Sequence, residues 1–254
     1  MLTNLNNPTF QYMGGAAYAT TAFCYSAKSE LAQAAHCFLA TLPTLACTCS
    51  STVHMTGLTT TAGIAVGMAV TGTNSGAGGV VSKIVSQTAV DLSVASSGAL
   101  TSATFTADIF NMLLIKASPV SVFSGTQTNV GTPGTGASSV TNVGTDEASG
   151  AGYTTGGFQL TNISPAVGTT AGYWSFTTNP SWTSASFSTT AGIIYNTSVR
   201  LGAAANGVTA NASGSAINRT ISVHDFGGTQ TVSSGTFTVV LPTNAQGTAI
   251  LQIS

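Results

Sequence analysis

The chain has 254 residues, enough for one large or two small domains with a true hydrophobic core, yet only 4% of them are charged, against roughly 25% in an ordinary soluble domain. Its surface must therefore be built from neutral Thr, Ser, Asn, Gly and Ala. A net charge of -1 supplies no basic stripe to neutralise phosphates, which argues against nucleic acid as a partner.

Mean hydropathy is +0.35, but this reflects missing charges rather than long apolar runs. Ile64 to Val70 and Ile109 to Ala117 are both short of the roughly 20 apolar residues of a spanning helix, so no membrane association is expected. The start, Met1-Leu-Thr-Asn-Leu-Asn-Asn, lacks the basic and apolar pattern of a secretion signal, and synthesis in the cytoplasm is expected. Few charges also mean weak repulsion between copies, which suits a protein that packs densely against itself or a partner.

The N-terminal fifth carries the one helical pattern. Leu31, Ala34, Ala35 and Phe38 fall at i, i+3, i+4 and i+7 within Ala27 to Phe38, with Ser26 available as N-cap. Cys24, Cys37, Cys47 and Cys49 also lie here, and their spacing matches none of the paired C-x2-C zinc patterns. They read as small buried thiols, with a disulfide open to them in oxidising surroundings.

From Ser51 to Ala107 short apolar runs (Val53 to Leu58, Ile64 to Thr71, Val80 to Val85, Ala89 to Val94, Ala103 to Thr106) alternate with Gly-rich turns. This predicts a small β module, residues 51–107, inserted into a main domain of 1–50 plus 108–254. A strand over Ile109 to Lys116 reopens the main domain. Residues 124–152 are rich in Gly, Thr and Ser and read as a long loop or arm, expected to become ordered against a partner and to be removable without unfolding the core.

The C-terminal hundred residues carry the clearest strand chemistry. Gly227-Gly228 between Ile221 to Phe226 and Thr229 to Val232 is a two-glycine hairpin signal. Phe237, Val239 and Leu241 alternate with Thr236 and Thr238 before Pro242. The predicted fold class is mainly β: an antiparallel sandwich with one short N-terminal helix and the inserted module.

Candidate chemistry is sparse. His224-Asp225 is an adjacent His/acid pair, but strand neighbours point to opposite faces. Asp146-Glu147 is the sole acidic doublet and lacks calcium-loop spacing; no P-loop and no G-x-S-x-G elbow occur, so no catalytic residue, metal or cofactor is expected. Tyr173, Trp174, Phe176, Trp182 and Phe187 form either a sandwich core with one or two interface anchors or a sugar-stacking tip. Four N-x-[ST] sequons (Asn162, Asn196, Asn211, Asn218) arise naturally from this composition.

A series of landmarks then stands out: Lys28-Ser-Glu-Leu with His36-Cys-Phe38, Asp108-Ile-Phe with Leu113-Leu-Ile-Lys-Ala117, Glu147-Ala-Ser-Gly-Ala-Gly-Tyr-Thr-Thr-Gly-Gly157, Ile193-Ile-Tyr-Asn196, Ser222-Val-His-Asp-Phe-Gly-Gly228, and Gly235-Thr-Phe-Thr-Val with Pro242. Together they resemble a family of uncharacterised tailed-bacteriophage virion proteins, over residues 23–50 and 108–254. The segment from Ser51 to Ala107 looks like an insertion and is similar to small β modules of phage structural proteins.

The resemblance implies a virion role and leaves the location on the particle open; the residues and the resemblance agree on a non-enzymatic assembly protein. A place on the outer capsid surface is expected from the chemistry, with the major capsid protein and further copies of the chain, as a trimer or other homo-oligomer, as partners. Low charge and a long neutral loop suit a capsid decoration or cement protein; a tail, neck or fibre component that binds a host receptor is the alternative. A virion-borne glycan-cleaving enzyme would need two cooperating carboxylates, for which Asp146, Glu147 and Asp225 are the set. Candidate interface residues are Asp146, Glu147, Tyr153, Tyr173, Trp174 and Trp182.

Overall fold

A computed structural model describes residues 2–3, 19–32, 36–198 and 218–253. The chain divides into a larger unit, Met1–Gln33, Ile109–Ser198 and Ala210–Ser254, and a smaller one, Ala34–Asp108 with Val199–Thr209. Strands Leu2–Thr3 (β1) and Ala22–Phe23 (β2) and helix Tyr25–Ala32 (α1) open the larger unit. The smaller unit contributes Leu45–Ser50 (β3), His54–Met55 (β4), Ala69–Thr71 (β5), Val81–Ser86 (β6), Ala89–Leu92 (β7) and Ala99–Thr106 (β8). The larger unit resumes with Phe110–Lys116 (β9), Phe158–Gln159 (β10), Ala166–Val167 (β11), Gly172–Trp174 (β12), Ser181–Asn196 (β13), Arg219–Thr238 (β14) and Leu251–Ile253 (β15). Among the described residues no helix is long and apolar enough to cross a membrane.

The protein is mainly β, and the ladders between these strands are antiparallel. In the larger unit a five-stranded sheet, β10-β9-β13-β14-β2, and a four-stranded sheet, β1-β15-β12-β11, form a sandwich. Register and pleat fix which side chains enter it. Met112, Ile194, Ser222 and Phe23 lie opposite one another across four strands, and Leu114, Gly192 and His224 form the next row on the same face. Phe110 shares that face and meets Trp174 of the second sheet at 5.7 Å between ring centroids. Leu113, Ile115, Ile193 and Val223, all buried, occupy the opposite face.

The smaller unit is a six-stranded assembly of β3-β8-β5 and β4-β7-β6 around Met55, Met68, Val90, Leu100 and Phe105. Bridges Thr48↔Thr56 and Ala69↔Val80 stitch the two sheets at both edges, which covers backbone donors that open strand edges would expose. The unit begins well before the composition change at Ser51, because β3 pairs with β8. Cys47 and Cys49 alternate inward on β3 with Thr48 outward and belong to this core.

Three local expectations are corrected. The helix runs Tyr25–Ala32 rather than from Ala27 to Phe38, and Ser26 lies inside it instead of capping it, since the Cys24 carbonyl already accepts Lys28 N–H. Ala34 and Ala35 fall outside the described residues. His36 to Phe38 are not helical because Cys37 and Asp108 clamp each other: Cys37 N–H donates to Asp108 Oδ2 at 2.8 Å and Asp108 N–H to the Cys37 carbonyl at 3.2 Å.

Gly227-Gly228 makes a bulge, not a hairpin. Ala191↔Asp225 is followed on β13 by Thr189↔Gln230, so the residues between Asp225 and Gln230 bow outward while β14 continues along one partner. The glycines take φ of +72° and +142° there, values that L side chains rarely adopt. A tight turn is excluded because β13 runs on and supplies ladder partners to both halves.

Residues 124–152 are not a free arm. Val130 and Val143 are fully buried, Gln127 and Asn129 nearly so. Asn129 bridges to Arg219, Thr220 N–H donates to the Thr128 carbonyl, and Asn218 Nδ2 donates to the Gly131 carbonyl at 2.9 Å. The Asn142 side chain ties four backbone groups of the same segment, those of Thr132, Thr135, Ala137 and Gly144. Such a segment is a packed Ω-type loop whose own residues replace a partner. Deleting 126–145 is therefore expected to abolish the cooperative thermal transition of the larger unit, followed by circular dichroism; a deletion protein that melts like the parent would overturn this packing role.

Candidate functional site

The acidic doublet is a dense polar centre, and its two carboxylates have opposite environments. Asp146 ends a single 3-10 turn, Gly144–Asp146, and is fully buried. It accepts from Val120 N–H (2.9 and 3.0 Å) and Ser121 N–H (2.8 Å) and pairs with Lys116 Nζ at 3.0 Å. Burial alone would raise its pKa, but these backbone donors together with Lys116 and Ser138 outweigh burial and hold it below the ordinary value.

Glu147 sits one residue on and bridges to Ile115 at the outer edge of β9. Its Oε1 accepts from Tyr153 Oη at 2.8 Å and Gly156 N–H at 2.6 Å, while Oε2 has no hydrogen-bond partner among the described residues. Burial raises this carboxyl despite the two donors. Tyr153 Oη in turn accepts from Leu114 N–H at 3.0 Å, and Tyr195 Oη donates to the Gly156 carbonyl at 2.7 Å.

The run from Glu147 to Gly157 is thus a loop that leaves the edge of β9 at Ile115 and rejoins it at Met112 through β10, closed by one carboxylate. Its glycines are steric necessities. A Cβ on Gly150 would strike the Ser186 carbonyl, one on Gly152 the Thr183 carbonyl, and one on Gly157 the Met112 carbonyl, and all three have positive φ. The motif is a structural clasp, which corrects the expectation that Asp146 and Glu147 face an interface.

The aromatic run is also internal. Trp174 joins Phe110 and Phe176, at 4.5 Å from the latter, and Trp182 joins Tyr153, Phe158, Phe187 and Phe237. Trp174 and Trp182 are buried and Tyr153 stacks on Trp182, so these three serve the sandwich core and do not form an exposed sugar platform. Tyr173, half-buried, lies on the strand pair β11-β12, outside both aromatic groups.

All four cysteines are buried free thiols. Burial, then the Glu30 carboxylate, pushes Cys24 up to about 12, and burial followed by Cys49 raises Cys47; thiols so held are poor nucleophiles. Cys49 Sγ lies 3.2 Å from the Thr52 carbonyl.

His224 and Asp225 do not bond each other: Asp225 Oδ1 accepts from Gly227 N–H at 3.0 Å, and His224 Nε2 lies 2.8 Å from Ser222 Oγ. A second His/acid pair escaped sequence reasoning. His54 Nδ1 meets Asp91 Oδ1 at 2.6 Å across β4 and β7 on the surface of the smaller unit. These residues are 37 apart in sequence, and only strand register brings them together. No hydroxyl or thiol of the described residues bonds His54 Nε2, and no group of three metal-ligating side chains occurs among them.

Comparison with protein-family models, curated proteins and solved structures finds no match to this chain.

Two outcomes test the doublet. Because the folded pKa of Asp146 lies below its ordinary 3.8, its contribution is complete above that value and fades as pH falls through the depressed one. D146N is expected to lose about 3 kcal/mol at pH 7, a gap to the parent that narrows in chemical denaturation below about pH 4; a pH-independent gap would refute the assignment. Glu147 has the opposite sign: its folded pKa lies above the ordinary 4.5, so ionisation lowers stability as pH rises beyond that value. E147Q keeps the acceptor and should equal or exceed the parent at pH 8, whereas E147A should lose about 2 kcal/mol. Equal losses in both variants would show that the charge, not the acceptor, closes the clasp.

Proposed function

We propose that the chain is a non-enzymatic structural protein of a tailed-bacteriophage virion, a decoration protein seated on the outer surface of the major capsid protein lattice. One observation carries this reading: the acids are engaged as ties within the fold, and few charges remain on the surface. Each of the six acids has an internal partner. Asp146 and Glu147 hold backbone N–H groups, Asp108 holds Cys37, Asp225 holds Gly227, Asp91 meets His54, and Glu30 lies 3.6 Å from Arg219.

With the acids so engaged, Asp146, Glu147 and Asp225 form no pair free to flank a glycosidic bond, which weighs against glycan cleavage. Exposed charges such as Lys83 and the His54–Asp91 pair are sparse, and the exterior of the described residues is mostly hydroxyls, amides and single apolar side chains. Such a face suits attachment by shape and apolar contact to a repeated lattice. Attachment falls to the segment that Asp146 fixes, because the Val120 and Ser121 N–H groups it binds orient Val120 and Val122 outward, 87% and 62% exposed. Tyr25, 64% exposed, stands beside the Gly125 backbone at the end of the same segment. These residues replace the loop 124–152 and the tryptophans as the docking candidates.

The decisive measurement is copy number in purified virions, quantified against the major capsid protein. Hundreds of copies, lost from the particle on V120D/V122D substitution while the protein itself stays folded, are expected. A few dozen copies or fewer would move the assignment to the tail, neck or fibre, and absence from virions would overturn it.

A further inference from the structure

We propose that the larger unit binds an uncharged amphiphile, an aliphatic or aryl chain bearing a single hydroxyl, in a cavity of about 760 Å³ beside His224. Wells of roughly 300–1,000 Å³ with apolar walls and a few convergent polar groups are the usual form of small-molecule sites.

The cavity follows from strand register. His224 lies opposite Gly192, which contributes no side chain, and Met112 and Ser222 flank that row on the same face. A Cβ on Gly192 would strike the Met112 methyl and approach the Phe226 ring to 3.3 Å, so these two side chains close over the glycine and make an apolar floor. Phe237, Val239 and Leu241, alternate residues of one extended run, line a wall, and Phe23 of β2 lines another. The run past β14 is anchored outside the cavity by Val239 N–H to the Pro180 carbonyl at 3.0 Å, Leu241 N–H to Asn179 Oδ1 at 2.9 Å and Ser175 Oγ to the Pro242 carbonyl at 2.5 Å.

The polar equipment selects the ligand's head group. Among the described residues no Lys or Arg lines the cavity, so a carboxylate or phosphate would enter without a counter-charge. Asp225 also lines the cavity, with Oδ1 accepting from Gly227 N–H at 3.0 Å, so the acid present there weighs further against an anionic head group. His224 Nε2 is shared with Ser222 Oγ, and Nδ1 has no partner among the described residues. Burial lowers the imidazole to about 4, so at pH 7 it is neutral and offers one hydrogen-bonding nitrogen to a hydroxyl.

The test uses the full chain and N-phenyl-1-naphthylamine, an uncharged apolar fluorophore, displaced by 1-decanol or by decanoate at pH 8. Saturable one-to-one fluorophore binding is expected, with decanol displacing it at about tenfold lower concentration than decanoate. V239W should fill the cavity and remove fluorophore binding. H224L should weaken decanol about tenfold while leaving the fluorophore unaffected. Absence of saturable binding, decanoate equal to decanol on the parent protein, or unchanged decanol affinity in H224L would each overturn the proposal, and the first two need no variant to fold.

Discussion

Strand β9 is the member on which the larger unit depends, because both of its edges and both of its faces are occupied. One edge pairs with β13 from Phe110 to Lys116, and the other is taken by β10 and by the Glu147 bridge. One face sends Phe110, Met112 and Leu114 into the sandwich, and the other buries Leu113 and Ile115. Four consecutive fully buried residues, Met112 to Ile115, would read as a core helix or a central strand from hydropathy alone; flanking β-branched and turn residues decide for the strand. Burial on this scale is worth about 2 kcal/mol per large side chain, which makes the strand the natural anchor for the long β13-β14 ladder.

Holding such a strand in a chain almost devoid of charge calls for another kind of specificity. Carboxylates supply it by accepting backbone N–H groups, geometry that fixes a loop far better than an exposed ion pair of about 0–1 kcal/mol. Asp146 and Glu147 show how environment separates two chemically similar neighbours. The first collects donors from a second segment and Lys116, and remains ionised; the second meets two donors on a single oxygen and is driven toward its neutral form. Opposed pKa shifts in a pair of acids are a familiar sign of acid–base catalysis, yet here the two point to different segments and neither faces a cleft. The same signature serves architecture.

Much of the fold was legible in the sequence. Alternation in Phe237 to Leu241, the Gly-punctuated runs of the smaller unit and the scarcity of helical period all indicate antiparallel sheets. What stayed hidden depends on partners remote in sequence. Gly227-Gly228 carries the same φ preference in a bulge as in a hairpin, and only the continuing β13 distinguishes them. Residues 124–152 look unstructured because their ties are Asn and Asp side chains and backbone pairs with Arg219 and Thr220, not apolar periodicity. Trp174 and Trp182 were recognisable as a core or an interface, and the choice needed the rings of Phe110 and Tyr153 that face them. His54–Asp91, the Gly192–His224 row and the cavity beside it exist only through register.

These features together give a consistent physical character. Coulomb forces between exposed charges are screened within about 8 Å at physiological salt, so a surface with few charges neither gains nor loses much attachment as ionic strength varies. Exposed apolar side chains such as Val120 and Val122 and hydroxyl-rich strands are far less sensitive to salt. A protein that keeps Asp146 and Glu147 on internal N–H groups therefore separates two demands: its fold responds to pH through these two acids, while its outer surface carries few charges. The proposed docking to a repeated lattice draws on that separation, which arises from where the buried carboxylates are placed rather than from any single binding motif.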